Sequence, residues 1–182
     1  MESIDRIWDV ELSTDSFCKL NDLSVDTCGK LLNIFPLSIL DRLHQLEMVN
    51  IKGCCSLEEI LGSAEKSASR AEDPMSGQSS LANNEVMEGI IFGKLKHLEL
   101  LSLGRLKHFC SLKCKVELPS LEKAVVMGCS SMQHFCMLEP TTPKLENVRL
   151  TRDTEEGRWK ADINTTIQEM FIEKVYIYEL KI

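Results

Sequence analysis

Hydrophobic residues recur in this chain with one fixed spacing, which constrains its fold more than any other feature. Steps of +3, +3, +2, +3, +3 and +3 from Phe17 reach an apolar residue or cysteine each time. The same steps work from Leu43, from Phe92 and, with one alanine, from Leu118, and a shorter copy covers residues 145–150. Two intervals are 26 residues (43 − 17 and 118 − 92). A unit that repeats in this way buries its apolar face only by stacking on its neighbours.

The core of each copy has the LxxLxLxx(C/L) spacing, and that spacing at a period of 20 to 29 residues is the signature of a leucine-rich repeat. We therefore predict an α/β leucine-rich-repeat solenoid, a curved right-handed superhelix with one short parallel strand per repeat on its concave face. Apolar residues that follow each strand, such as Leu57 and Ile60, are expected to line a convex side of extended or 3₁₀ segments. The inward-facing strand pairs are predicted to be Leu23/Val25, Val49/Ile51, Leu98/Leu100, Ala124/Val126 and Val148/Leu150.

The whole chain, residues 1–182, is predicted to form a single leucine-rich-repeat domain. It begins with a partial repeat (1–16), because Ile4 and Ile7 match Leu31 and Ile34 in type and spacing. We therefore expect the chain to be the C-terminal part of something longer. The further predicted repeats are 17–42, 43–61, 92–117, 118–141 and 142–152, followed by a C-terminal cap at 153–182.

Residues 62–91 interrupt the repeats, since the interval from Leu43 to Phe92 is 49 residues (92 − 43). This segment is rich in Ser, Ala, Glu and Asn and has few large apolar groups, so burial cannot offset the entropy of ordering it. We predict a disordered insertion. A passive loop is favoured over one that carries a modification or a partner motif.

The cap is predicted from a second pattern. Asp162 or Asn164 can begin a short helix over residues 165–171, whose apolar side chains would cover the last repeat. Trp159 is expected to act as a large cover beside them. The run 175–180 alternates and is partly β-branched or aromatic, and it can be read as a strand or as an irregular end.

Composition limits the function. The net charge of −7 argues against nucleic acid binding, which needs a basic stripe. No secretory h-region and no apolar run of about 20 residues occur, so no membrane span and a cytoplasmic location are expected. Three of the eight cysteines, Cys28, Cys54 and Cys129, share one repeat position, where a small side chain with a weak S–H donor suits a tight turn.

Several segments together resemble the C-terminal repeats of plant coiled-coil, nucleotide-binding, leucine-rich-repeat disease resistance proteins. Among them are LPSLE at 118–122, GCSSM at 128–132 and the closing run WKADINTTIQ at 159–168. The others are residues 17–36, 57–60 and 142–145. The resemblance covers nearly the whole chain.

This resemblance implies a protein-recognition and autoinhibition module of an intracellular immune receptor. Its partners would be a pathogen effector, a guarded host protein or other domains of the receptor. The family couples the repeats to a nucleotide-binding domain, but these residues contain no GxxxxGK[ST] phosphate loop, so no ATP site is expected. The alternative is a stand-alone leucine-rich-repeat adaptor, such as the substrate-recruiting part of a ubiquitin ligase.

No enzyme activity and no cofactor are expected, since no spacing places a nucleophile beside a base. One constellation resembles a metal site: His108-Phe109-Cys110 recurs as His134-Phe135-Cys136. Copied neighbours of a phenylalanine that fills one repeat position explain it more simply than zinc or a Cys110–Cys136 disulfide.

The candidate binding site lies on the concave side. Side chains alternate along a strand, so residues between the inward pairs point outward. Leu101, Val125 and Met127 are thus predicted to form an exposed apolar patch, with Glu99 and Lys123 at its rim. Exposed apolar patches of this kind mark protein contacts.

Overall fold

The computed structural model describes residues 6–8, 16–62, 89–149 and 157–179, with side chains up to residue 173. Its strands are short and mostly parallel, and one long helix ends the described chain. In chain order the elements are β1 (Asp22–Asp26), β2 (Phe35–Pro36), a 3₁₀ helix (Leu37–Arg42), β3 (Met48–Lys52), β4 (Glu59–Gly62), β5 (Ile90–Ile91), β6 (His97–Leu101), β7 (His108–Cys110), β8 (Val116–Glu117), β9 (Lys123–Met127), β10 (Val148–Arg149), β11 (Gly157–Arg158) and α1 (Ile163–Glu179).

The main sheet has the strand order β1-β3-β6-β9-β10-β11. Its first five strands run parallel, and β11 pairs antiparallel with β10. The register places Leu23, Val49, Leu98, Ala124 and Val148 in one row across the sheet. These are equivalent positions of the hydrophobic pattern, so the predicted parallel pairing of these strands is confirmed.

The segments that return from each main-sheet strand are also ordered in rows. β2, β4 and β7 form a parallel sheet, which the bridge between Cys110 and Cys136 extends by one repeat. β5 and β8 form another, extended by the bridge between Glu117 and Thr141. Extended and 3₁₀ segments were both expected here, but their pairing into two further parallel ladders was not.

The apolar residues of the repeat pattern fill one core cluster. Its aromatic members contact one another in series. Phe35 and Phe92 are tilted with ring centroids 5.9 Å apart, Phe92 and Phe109 meet edge to face at 6.2 Å, and Phe109 and Phe135 of neighbouring repeats stack at 4.5 Å. Such pairs contribute roughly 0.5–1.5 kcal/mol beyond the area they bury. The repeats therefore adhere through a continuous apolar column.

A left-handed residue follows each of the first four parallel strands of the main sheet. Thr27, Gly53, Ser102 and Gly128 occupy this turn position, with φ of 59°, 65°, 54° and 69°. The next residue is Cys in three repeats, and its thiol donates back to a strand carbonyl, as Cys54 does to Lys52 at 3.5 Å. The expected use of a small side chain with an S–H donor inside a tight turn is confirmed.

The C-terminal helix is longer than predicted and begins at one of the two proposed residues. Asp162 Oδ1 accepts a hydrogen bond from the Thr165 backbone N–H at 2.9 Å, as an N-cap does. Ile167 and Met170 are buried as expected. Trp159, which was predicted to cover the last repeat, is 37% exposed. Of the run 175–180, residues 175–179 continue the helix, so these residues form no strand.

The predicted insertion has ordered ends. Gly62 closes β4, and Ile90–Ile91 form β5, which pairs with β8. These boundary residues therefore belong to the parallel ladders. The rest of the insertion, residues 63–88, lies outside the described residues.

Candidate protein-contact surface

The outer face of the main sheet is the face whose side chains alternate with the core residues. The sheet register aligns these side chains in rows across β3, β6 and β9. The three rows are Met48–His97–Lys123, Asn50–Glu99–Val125 and Lys52–Leu101–Met127. All five predicted site residues lie in these rows, so the structure brings them together on adjacent strands.

The predicted exposure of two of these residues is wrong. Leu101 is 2% exposed and Val125 is 0% exposed, whereas Met127 is 39% exposed. Leu101 and Val125 do not belong to the core cluster, so they are buried on the outer face. Alternation tells which face a side chain occupies, but it does not tell what packs on that face. Val125 lies in register between the longer side chains of Glu99 and Arg149.

An ion pair lies beside the buried patch. Lys123 Nζ is 3.5 Å from Glu99 Oε1, and the two side chains are 27% and 16% exposed. Partial burial strengthens their attraction and also raises the cost of leaving either charge unpaired. Glu99 and Lys123 therefore form a fixed polar border around Leu101 and Val125 instead of a freely solvated rim.

Met48 also lies on this face, although it was not among the predicted site residues. Its side chain is 40% exposed, close to the exposure of Met127. It lies in the first of the three rows, and Met127 lies in the third. The signal was available, since Met48 is the only apolar outer residue of its strand in the printed sequence.

Ion pairs join the repeats along the array. Among the described residues, five such pairs link an acid of one repeat to a lysine of the next. In order they are Asp26–Lys52, Glu47–Lys96, Glu58–Lys107, Glu99–Lys123 and Glu122–Lys144. The pKa of Glu47 is lowered by the hydrogen bond and charge of Lys96, at 2.8 Å. These lysines are thus matched with carboxylates and form no unopposed basic stripe.

The His-Phe-Cys pair has the geometry of stacked structural residues. Cys110, Cys114 and Cys136 are buried, free thiols, and burial raises the pKa of Cys110 to about 12 and raises that of Cys136 as well. A thiol needs a lowered pKa to react as thiolate, so burial makes these thiols poor nucleophiles. In the described part of the chain, no group of three or more His, Cys, Asp or Glu residues could hold a metal ion.

Within the described ranges, no helix has the length and apolar character that a bilayer span requires. Comparisons with curated proteins and with solved structures gave no significant match. A family model does match: that of the leucine-rich repeats of RPS2-like plant disease resistance proteins, over residues 1–151. The match contains all the parallel strands described above and ends before the C-terminal helix. The chain belongs to the leucine-rich-repeat family of RPS2-like plant disease resistance proteins.

Proposed function

We propose that this chain is the protein-recognition module of a plant intracellular immune receptor. The family match carries this proposal, because it joins a repeat architecture to disease resistance. Residues 1–182 would form one domain in the cytoplasm, coiled into a curved right-handed solenoid with the main sheet on its concave face. Recognition is non-catalytic and needs no cofactor. The partner is a pathogen effector, a guarded host protein or another domain of the receptor.

The proposed contact surface is the outer face of the main sheet, and its contact residues are those that are exposed in the structure. Met48 and Met127 offer flexible apolar contacts, and methionine adapts to irregular partner surfaces. Lys52 adds a charge in the same row as Met127. Glu99 and Lys123 stay in the site as a polar border, while Leu101 and Val125 support the surface from beneath.

The proposed function can be tested with one exposed residue. A tagged chain is co-expressed in plant cells with the nucleotide-binding domain of an RPS2-like receptor, and the bound fraction is measured. Met127→Asp replaces one of the exposed apolar residues of the surface by a charge, and a few apolar contacts usually dominate binding. It is expected to lower the affinity at least about tenfold, since burying one such side chain stabilises a complex by roughly 1.5–3 kcal/mol.

Met137→Asp is the matched control, because Met137 is 46% exposed and lies outside the main sheet. It should bind as the unchanged chain does, and circular dichroism should show both variants folded. Equal binding by the Met127 and Met137 variants would place the contact elsewhere. Recovery of ubiquitin-ligase subunits in place of the receptor domain would favour the adaptor alternative.

A further inference from the structure

Two histidines stack at the contact between neighbouring repeats. His108 belongs to the third repeat (92–117), and His134 has the equivalent position in the fourth (118–141). Their rings are nearly parallel, at 6°, with centroids 6.3 Å apart. The next residues in the chain, Phe109 and Phe135, also pack face to face. The parallel alignment of the two segments therefore holds the two imidazoles opposite each other.

The surroundings of His108 favour its neutral form. Its Nδ1 is buried and has no hydrogen-bond partner in the described structure. The charges of His134 and Lys107 oppose a positive charge at this ring, whereas a hydrogen bond to the His134 backbone and the carboxylate of Glu59, its register partner on β4, favour one. The Glu59 carboxylate already accepts a hydrogen bond from Ser111 Oγ. Burial, followed by His134, lowers the pKa of His108 below the ordinary histidine value.

We propose that the stacked His108–His134 pair makes the contact between the third and fourth repeats sensitive to acid. When the pair is neutral, the rings stack without charge. A proton on either ring puts a positive charge opposite the other ring, and a proton on His108 must also enter a partly buried site that offers Nδ1 no acceptor. Acidification therefore weakens the adhesion of these two repeats.

The sign of the effect follows from linkage. The folded state binds a proton at His108 less readily than the unfolded chain does. The stability that this neutral ring contributes is therefore complete above the unfolded pKa, about 6.5, and is lost as the pH falls from there through the folded pKa. The contact between the third and fourth repeats is therefore acid-sensitive just below neutral pH, where unperturbed carboxylates remain ionised.

Urea unfolding of the full chain at about pH 7.5 and about pH 5.8 tests the proposal, because histidine titrates between these values. The midpoint of the unchanged chain should fall on acidification. His108→Gln and His134→Gln should both reduce this fall. His44→Gln is the matched control, since His44 is exposed on a different segment, and it should fall as far as the unchanged chain.

An equal fall in all variants would overturn the proposal. Should a glutamine variant not fold, the ring protons of His108 in the unchanged chain can be titrated by nuclear magnetic resonance. A midpoint below the ordinary histidine value of about 6.5 supports the proposal. A midpoint at or above that value overturns the proposal without any substitution.

Discussion

Substitutions at the turn position after each parallel strand should change the stability of the fold in opposite directions, depending on which residue occupies that position. Gly53 and Gly128 have positive φ there, and so do Thr27 and Ser102, which carry a Cβ. We predict that Gly53→Ala and Gly128→Ala destabilise the fold, whereas Ser102→Gly stabilises it. The backbone conformation is the same in each repeat, so the difference arises only from the side chain.

The magnitudes follow from the local geometry. A left-handed conformation costs a residue with a Cβ about 1–2 kcal/mol. Alanine recovers about 0.4–1 kcal/mol by restricting the unfolded chain. Gly53→Ala should therefore cost about 0.5–1.5 kcal/mol, since the nearest atom to a new Cβ is 3.7 Å away. Gly128→Ala should cost more, because its Cβ would lie 3.1 Å from the Ser102 Cα.

Ser102→Gly removes the cost of holding a Cβ in the left-handed conformation and frees the unfolded chain. It should therefore stabilise the fold by up to about 1.5 kcal/mol. Thermal unfolding resolves these effects, because 1 kcal/mol shifts the Tm of a chain of this size by about 2–4 °C. Gly93→Ala is the control, since no atom lies within 4 Å of its new Cβ and its φ is not positive. The reasoning is refuted if Gly53→Ala and Gly93→Ala behave alike, or if Ser102→Gly lowers the Tm.

Two further predictions concern burial on the two faces of the main sheet. Leu98→Ala and Leu100→Ala should each lower the free energy of unfolding by roughly 2–5 kcal/mol, because both side chains are 0% exposed between neighbouring repeats. Urea unfolding measures this loss, and a value below about 1 kcal/mol at both sites would contradict the register. Val125→Asp should abolish the near-ultraviolet circular dichroism of the native fold, because Val125 is 0% exposed and a buried charge is costly. Met127→Asp should keep this signal, because Met127 is 39% exposed on the same face. A folded Val125 variant would mean that the outer face tolerates a charge at that position.

The sequence predicted the positions of the strands well and the surroundings of their outer side chains poorly. Leu98 and Leu100 belong to a pattern that recurs in every repeat, so their burial follows from the pattern. Val125 has the outer position of the same alternation, yet it is buried in register with the longer residue Arg149. A periodic pattern gives the face that a side chain occupies, but it does not contain the particular side chains that meet on that face.

Short elements gave a weak signal for a similar reason. β2, β5 and β8 have two residues each, too few to show an alternation, and parallel pairing with the next repeat orders them. The alternating run 175–180 gave a misleading signal, since residues 175–179 continue α1. A period-2 pattern over so few residues does not exclude a helix that starts upstream from a well-formed cap.

A polar side chain also ends the parallel ladder of β2, β4 and β7, which the bridge to Cys136 extends. Asn164 accepts a hydrogen bond from the Cys136 backbone N–H at 2.8 Å and donates one to the Cys136 carbonyl at 3.0 Å. An amide side chain has both a donor and an acceptor, so it satisfies an edge residue as a further strand would. Aspartate at this position would leave the carbonyl without a donor, which explains why Asp162 caps the helix and Asn164 caps the ladder.

The main sheet ends with an antiparallel strand that requires a glycine. β11 turns back antiparallel on β10, and a Cβ at Gly157 would lie 2.9 Å from the Val148 carbonyl oxygen, so only glycine allows this approach. Both devices lie beyond residue 151, outside the family match. Exposed strand edges invite pairing with other chains. By pairing with these edges, the C-terminal segment covers the ends of β10 and of the Cys136 bridge that the repeats themselves leave unpaired.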